Sequence, residues 1–219
     1  MKTNHRIVRY LVLLAFLTFN LQLSTAQSVT VDFGTLSSGD SGDVVSSYLA
    51  GFGITVTGIT PGGGLFINTV NPGVFDGPAG QMFLQWGGPN GDWNGFTLNF
   101  DQPLTALSFT RIGEGSDGNG LAWPAWNATV YQGDTVIGTA SENAISIFPP
   151  NSIPAQTYDF TGTGITSITF LANDFNFSFT GTPGIGDIVM TPVPEPSTWA
   201  MLTLGFGTLL SLRRLKAFA

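Results

Sequence analysis

Carboxylates and aromatic rings are the side chains through which this 219-residue chain could do chemistry. It has no Cys; its single His5 and both lysines, Lys2 and Lys216, lie in the terminal segments. Arg111 is the lone base between Gln27 and Pro192. That inventory closes the central region to Ser-His-Asp and Cys-His nucleophile systems, Ser-Lys dyads, Schiff-base lysines, the usual zinc sites and disulfides. Carboxylate acid–base work, aromatic and amide recognition, and oxygen-ligand metals remain open. Between the two ends, thirteen acids face one base, a formal −12 against −7 for the whole chain. Such a field repels phosphate backbones and excludes nucleic acid as a partner.

Glycoside hydrolysis needs two carboxyl groups roughly 5 to 9.5 Å apart, one of them protonated near neutral pH. The central region has only two glutamates, Glu114 and Glu142, and no spacing pairs either with a chosen aspartate. No catalytic residue is assigned, and a carboxylate-dependent glycan hydrolase is the third reading of function. Aromatic recognition is better marked. In Trp86-Gly87-Gly88-Pro89-Asn90-Gly91-Asp92-Trp93-Asn94, an indole is flanked by polar groups. Trp93 offers a platform for the apolar face of a sugar ring, and Asn90, Asp92 and Asn94 offer partners for its hydroxyls, the mixture expected of a small-ligand site. Trp126 precedes an alternating strand and is assigned to the core.

The elements that must position these groups read as strands. Gly-rich turns punctuate short β-branched and aromatic runs, and no segment between 28 and 190 holds a 3.6-residue period. Val29–Phe33, Phe52–Ile59, Leu65–Ile67, Gln81–Trp86 and Phe96–Phe100 are strand candidates. The last leads through Asp101-Gln102-Pro103 into Leu104–Thr110, a hairpin or a sheet crossing. Trp126–Gln132 and Thr135–Thr139, joined by Gly133-Asp134, form a hairpin signal. Thr157–Phe160, Ile165–Leu171, Phe175–Phe179 and Ile185–Met190 follow. Ten to twelve short strands predict an all-β, antiparallel sandwich. Gly39–Asp43, Gly62–Gly64, Pro72–Gly80 and Gly113–Gly120 read as loops or acidic turns.

Both ends carry an address. Lys2, Arg6 and Arg9 precede an apolar run from Tyr10 to Phe19, and Ser24-Thr25-Ala26 supplies small residues for cleavage. Residues 1–26 read as a secretory signal peptide, handled by the Sec machinery and signal peptidase. At the other end, Val193-Pro194-Glu195-Pro196-Ser197-Thr198 runs into apolar 197–212, then into Arg213, Arg214 and Lys216. Sixteen residues give roughly 24 Å of helix at about 1.5 Å each, slightly short of a bilayer core. Trp199 at one edge and the basic cluster at the other would anchor a single transmembrane helix there, bases in the cytoplasm.

Residues 192–219 resemble the PEP-CTERM sorting signal of Gram-negative bacteria, on the Val193-Pro194-Glu195-Pro196 motif, the apolar helix and the basic stop Arg213, Arg214, Lys216. The resemblance implies recognition and processing by an exosortase, an integral-membrane cysteine transpeptidase. It also implies a membrane-anchored intermediate and then a cell-surface or extracellular destination. Less closely, residues 27–191 resemble jelly-roll domains of the carbohydrate-binding-module type, in the order of Val31-Asp32-Phe33, Tyr48 to Val56 and Ile185–Val189. That resemblance implies first and last strands side by side, with a structural calcium held by acids of those two strands. Asp32 and Asp187 are the matching positions. No cofactor is otherwise required.

The expectation is an exported surface or matrix protein, structural or adhesive in an exopolysaccharide or biofilm setting. A carbohydrate-binding module recognising a polysaccharide is the alternative.

Overall fold

The computed structural model describes residues 26–58, 64–71, 74–87, 95–114, 121–123, 125–147, 152–172 and 184–194, with 121–123 and 145–147 described as backbone. A compact unit spans Gln27–Val193. In chain order come β1 (Val29–Val31), a 3-10 turn (Phe33–Thr35), α1 (Asp43–Ala50), β2 (Ile54–Thr57), β3 (Gly64–Thr69), β4 (Phe75–Asp76), β5 (Met82–Gly87) and β6 (Gly95–Arg111). They are followed by β7 (Gly113–Glu114), β8 (Leu121–Trp123), β9 (Trp126–Gln132), β10 (Thr135–Glu142), β11 (Ile145–Ile147), β12 (Gln156–Ala172) and β13 (Ile185–Pro192).

Nine of these strands form one antiparallel sheet, in the order β10-β9-β12-β6-β13-β5-β3, with β1 on β13 and β2 on β6. Two 17-residue strands, β6 and β12, make it curl. The first half of β6, Gly95–Phe100, lies between β2 and the end of β12, which also pairs with β9. Its second half, Leu104–Arg111, lies between the start of β12 and β13. Asp101, Gln102 and Pro103 are exposed at the bend, where proline's missing N–H costs the ladder least. Beside it, β12 shifts register between Thr161 and Ser167. Bulges of this kind bend a strand and raise its twist.

The two halves of the sheet face each other across one core. Phe109, on the second half of β6, meets Phe170 on the end of β12 edge-on with ring centroids 5.0 Å apart, and Trp126 of β9 at 6.0 Å. Phe96 stacks on Phe170 at 5.0 Å. Alternation delivers these contacts: in β6, Phe96, Leu98, Phe100, Leu104, Leu107 and Phe109 are buried while their neighbours, Gly95 apart, are not.

Several expectations of strand placement stand. The hairpin at Gly133-Asp134 forms with Gln132 opposite Thr135, Gly133 taking φ +56. The chain crosses the sheet at Asp101–Pro103, and the first strand lies beside the last, Val31 opposite Ile188. Others are corrected. Phe96–Phe100 and Leu104–Thr110 are one strand, as are Thr157–Phe160 and Ile165–Leu171. Gly113-Glu114 is a strand rather than a turn.

Asp43–Ala50 is a helix, although no helical period was expected between 28 and 190; it starts at the end of the expected Gly39–Asp43 turn. Its Val45 and Leu49, one turn apart, enter the core, and Asp43 in its first turn complements the helix dipole. Among the described residues no helix is long and apolar enough to cross a membrane. Signal-peptide residues 1–25, Glu195, Pro196, the 197–212 span, the basic stop and the Phe175–Phe179 candidate lie outside the described residues.

Candidate functional site

The one arginine of the folded unit is buried, at 1% exposure, and organises a polar cluster inside the apolar core. Arg111 ends β6 on its inward face, and its Nε donates to Glu142 Oε1 at 2.9 Å. Its other nitrogens donate to the carbonyls of Ile112 and Pro154, at 2.9 and 3.1 Å. Glu142 also accepts from Trp126 Nε1 at 2.8 Å and from the Tyr158 hydroxyl at 2.6 Å. Trp126 and Glu142 come from paired β9 and β10, Arg111 and Tyr158 from paired β6 and β12. The cluster thus clasps the two halves of the curled sheet. Burial and then the Glu142 hydrogen bond raise the Tyr158 phenol well above its ordinary value, so it stays a donor.

Glu114 stands three residues from Arg111 and is also 1% exposed. Its backbone is fixed from both sides, by Phe75 of β4 and by mutual hydrogen bonds with Ile153 of 2.7 and 2.8 Å. Neither of its carboxyl oxygens has a hydrogen-bond partner among the described residues. Burial pushes its pKa up to about 8; Arg111 pulls it down and Glu142 pushes it further up. A carboxyl so placed is neutral at pH 7, which avoids the cost of an unpaired buried charge.

The structure therefore brings together both glutamates of the region around its only base, a gathering no sequence spacing signalled. One carboxyl is held neutral and the other is an acceptor of three hydrogen bonds. Both groups point into packed protein. Arg111 and Glu114 are closed to solvent, and Glu142 is nearly so.

The β1–β13 ladder ends with Val31 opposite Ile188, and Asp32 and Asp187 are the next residues just past that pair. Burial and then the Asp32 charge raise the Asp187 carboxyl above its usual range. Asp32 is already engaged, its Oδ1 accepting from Gly34 N at 2.7 Å to cap the 3-10 turn and its carbonyl accepting from the Tyr48 hydroxyl. A calcium ion needs six to eight oxygens. These two side chains supply part of such a sphere, and among the described residues no group of three acids, His or Cys gathers.

An open concavity of about 550 Å³ lies along Asn68–Asn71, Val74, Phe75 and Gly80. Its polar groups serve the local turn: Asn68 donates to Gln85 Oε1 and accepts from Thr69 N, while the Asn71 carbonyl takes the N–H groups of Val74 and Phe75. Trp93, Asn90, Asp92 and Asn94 lie outside the described residues. Trp126 is in the core as expected, at 3% exposure. Val193 and Pro194 follow the last strand, Val193 N donating to the Pro103 carbonyl.

No family model matches the chain, and no curated protein matches it. Solved structures resemble it distantly. The K2 cleaved adhesin domain of Lys-gingipain is 16% identical with a TM-score of 0.44, over 75% of this chain and 99% of that one. A family 35 carbohydrate-binding module from Clostridium thermocellum is 13% identical with a TM-score of 0.31, over 77% and 100%. The CBM22-1 xylan-binding domain of a Paenibacillus barcinonensis enzyme is 11% identical with a TM-score of 0.33, over 77% and 92%. Scores this low describe partial likeness and carry no inference about activity.

Proposed function

We propose that this chain is an exported, non-enzymatic surface or matrix protein, a jelly-roll-type β-sandwich carried to the membrane by its signal peptide and processed at its PEP-CTERM tail by an exosortase. One observation supports it most: the folded unit shows solvent no cationic side chain. Its single base, Arg111, is buried and paired. All positive charge outside the core sits in the two terminal segments, where targeting would use it. A surface of acids, hydroxyls and amides resists adsorption to nucleic acid and polyanions. Glu142 belongs to the clasp between sheet halves, so it serves stability in this reading.

Mass spectrometry of the protein recovered from the surface or medium of a host with an exosortase tests this. The expected polypeptide lacks the N-terminal leader and residues Arg213–Lys216. Recovery of the intact chain from the cytoplasm refutes it.

Glycan binding is the second reading. It is favoured by the same surface, whose exposed hydrogen-bonding groups are carboxylates, hydroxyls and amides without a competing cation.

A further inference from the structure

The outer face of β10, β9, the end of β12, the start of β6 and β2 carries a row of threonines in register. Thr139 is opposite Thr129, Thr129 opposite Thr169, Thr169 opposite Thr97, and Thr97 opposite Thr57. Two residues along, Tyr131, Ser167, Asn99 and Thr55 form a second row. Their strand neighbours Ala128, Val130, Phe170, Ile168, Phe96 and Leu98 are all in the core, so alternation turns both rows outward. Thr139, Thr57 and Thr55 are exposed and the others half-buried among themselves.

Threonine is a common solvent-side choice in strands because its branched side chain fits the pleat. Two features go beyond that. Neither row contains a charge, although the unit carries thirteen acids; of the acids nearest in sequence, Asp101 follows Asn99 on the same face at the bend, Asp134 is in the hairpin turn and Glu142 pairs with Arg111 inside. The opposite outer face, by contrast, carries Asp32, Asp159 and Asp187. The side chains are also tied in place: the Thr97 and Thr169 hydroxyls share a hydrogen bond of 2.8 Å, and Asn99 Nδ2 donates to Thr57 Oγ1 at 2.8 Å. A hydroxyl has one donor and two acceptor sites, so each tied group keeps capacity for a ligand while its rotamer is fixed in advance.

We infer that this face binds a neutral polysaccharide chain lying across the strands. The inference rests on the surface-protein reading and names the face and ligand class that reading leaves open. Hydroxyl and amide partners recur at the strand spacing of about 4.8 Å, close to the length of one hexose unit, over four gaps or roughly 19 Å. The Tyr131 ring adds an apolar patch against which a sugar face packs. An uncharged array offers nothing to select an ionic ligand, while the acids elsewhere repel an anionic one.

Affinity gel electrophoresis tests it, using the detergent-solubilised full chain in a detergent without a sugar headgroup. The gels contain hydroxyethylcellulose, laminarin, xylan, dextran or, as the polyanion, alginate. At least one neutral polymer should retard the wild type. The double variant Thr97→Val/Thr169→Val, which keeps the branched shape, should weaken that retardation at least tenfold. Thr110→Val/Thr157→Val, which removes a matching hydroxyl pair of 3.0 Å on the opposite face, should leave it unchanged. Tyr131→Ala gives a second reading should the first double variant not fold. Retardation by none of the neutral polymers, by alginate alone, or equal loss from both faces would overturn the inference. Export is read separately by fractionation, so either claim can fail alone.

Discussion

Arg111 and Glu114, three residues apart and equally buried, show how burial treats two ionisable groups differently. Arg111 finds Glu142 and two carbonyls; Glu114 finds no acceptor or donor among the described residues and keeps its proton instead. Its folded pKa of about 8 lies above the ordinary 4.5. The unfolded chain therefore ionises first, and stability falls as pH rises from about 4.5 to about 8, by roughly 1.4 kcal/mol per unit for one proton. Glu114→Gln should abolish that decline, leaving the variant on the order of 3 kcal/mol more stable than wild type at pH 8 relative to pH 5. Urea unfolding at the two pH values checks it, and parallel curves would contradict it. Arg111→Met leaves Glu142 without its charge partner, and unfolding should cost about 3–5 kcal/mol less. The residue types were legible beforehand: one base and two glutamates. Their meeting was not, because it depends on which ends of four distant strands the curl brings together.

At the scale of elements, β6 and β12 carry the fold. Each serves both halves of the sheet, so a fault where they touch is felt on both sides. Gly95 starts β6 at φ +131, and a Cβ there would sit 1.9 Å from the Phe170 carbonyl oxygen. Gly95→Ala should destabilise by more than about 1 kcal/mol, measured by urea unfolding, since neither the backbone angle nor the space admits a side chain. A change within experimental error would show that β6 and β12 are less tightly joined than described. Alternation revealed most strands because a half-buried strand repeats every two residues. It split β6 and β12 because a polar bend at Asp101–Pro103 and the Gly162–Gly164 bulge look like ends of strands. Helix α1 was hidden for a related reason. Eight residues give two buried positions, Val45 and Leu49, too few for a helical period to stand out in a Ser- and Val-rich segment.

For the whole molecule, the distribution of charge matters more than its total. The acidic unit hides its one base, gathers Asp32, Asp159 and Asp187 on one outer face, and leaves the two threonine-bearing rows of the other uncharged. Composition announced the acidity; only strand register separates the two faces. The terminal segments hold the rest of the basic residues and, in the proposed reading, decide where the molecule goes. Fractionation of a host carrying an exosortase, comparing the full chain with one stopped after Val193, tests that claim most directly. The proposal predicts that the full chain reaches the surface or medium by way of the membrane, whereas the shortened chain, equally folded, never becomes membrane-held or surface-retained. Identical distribution of the two would contradict it.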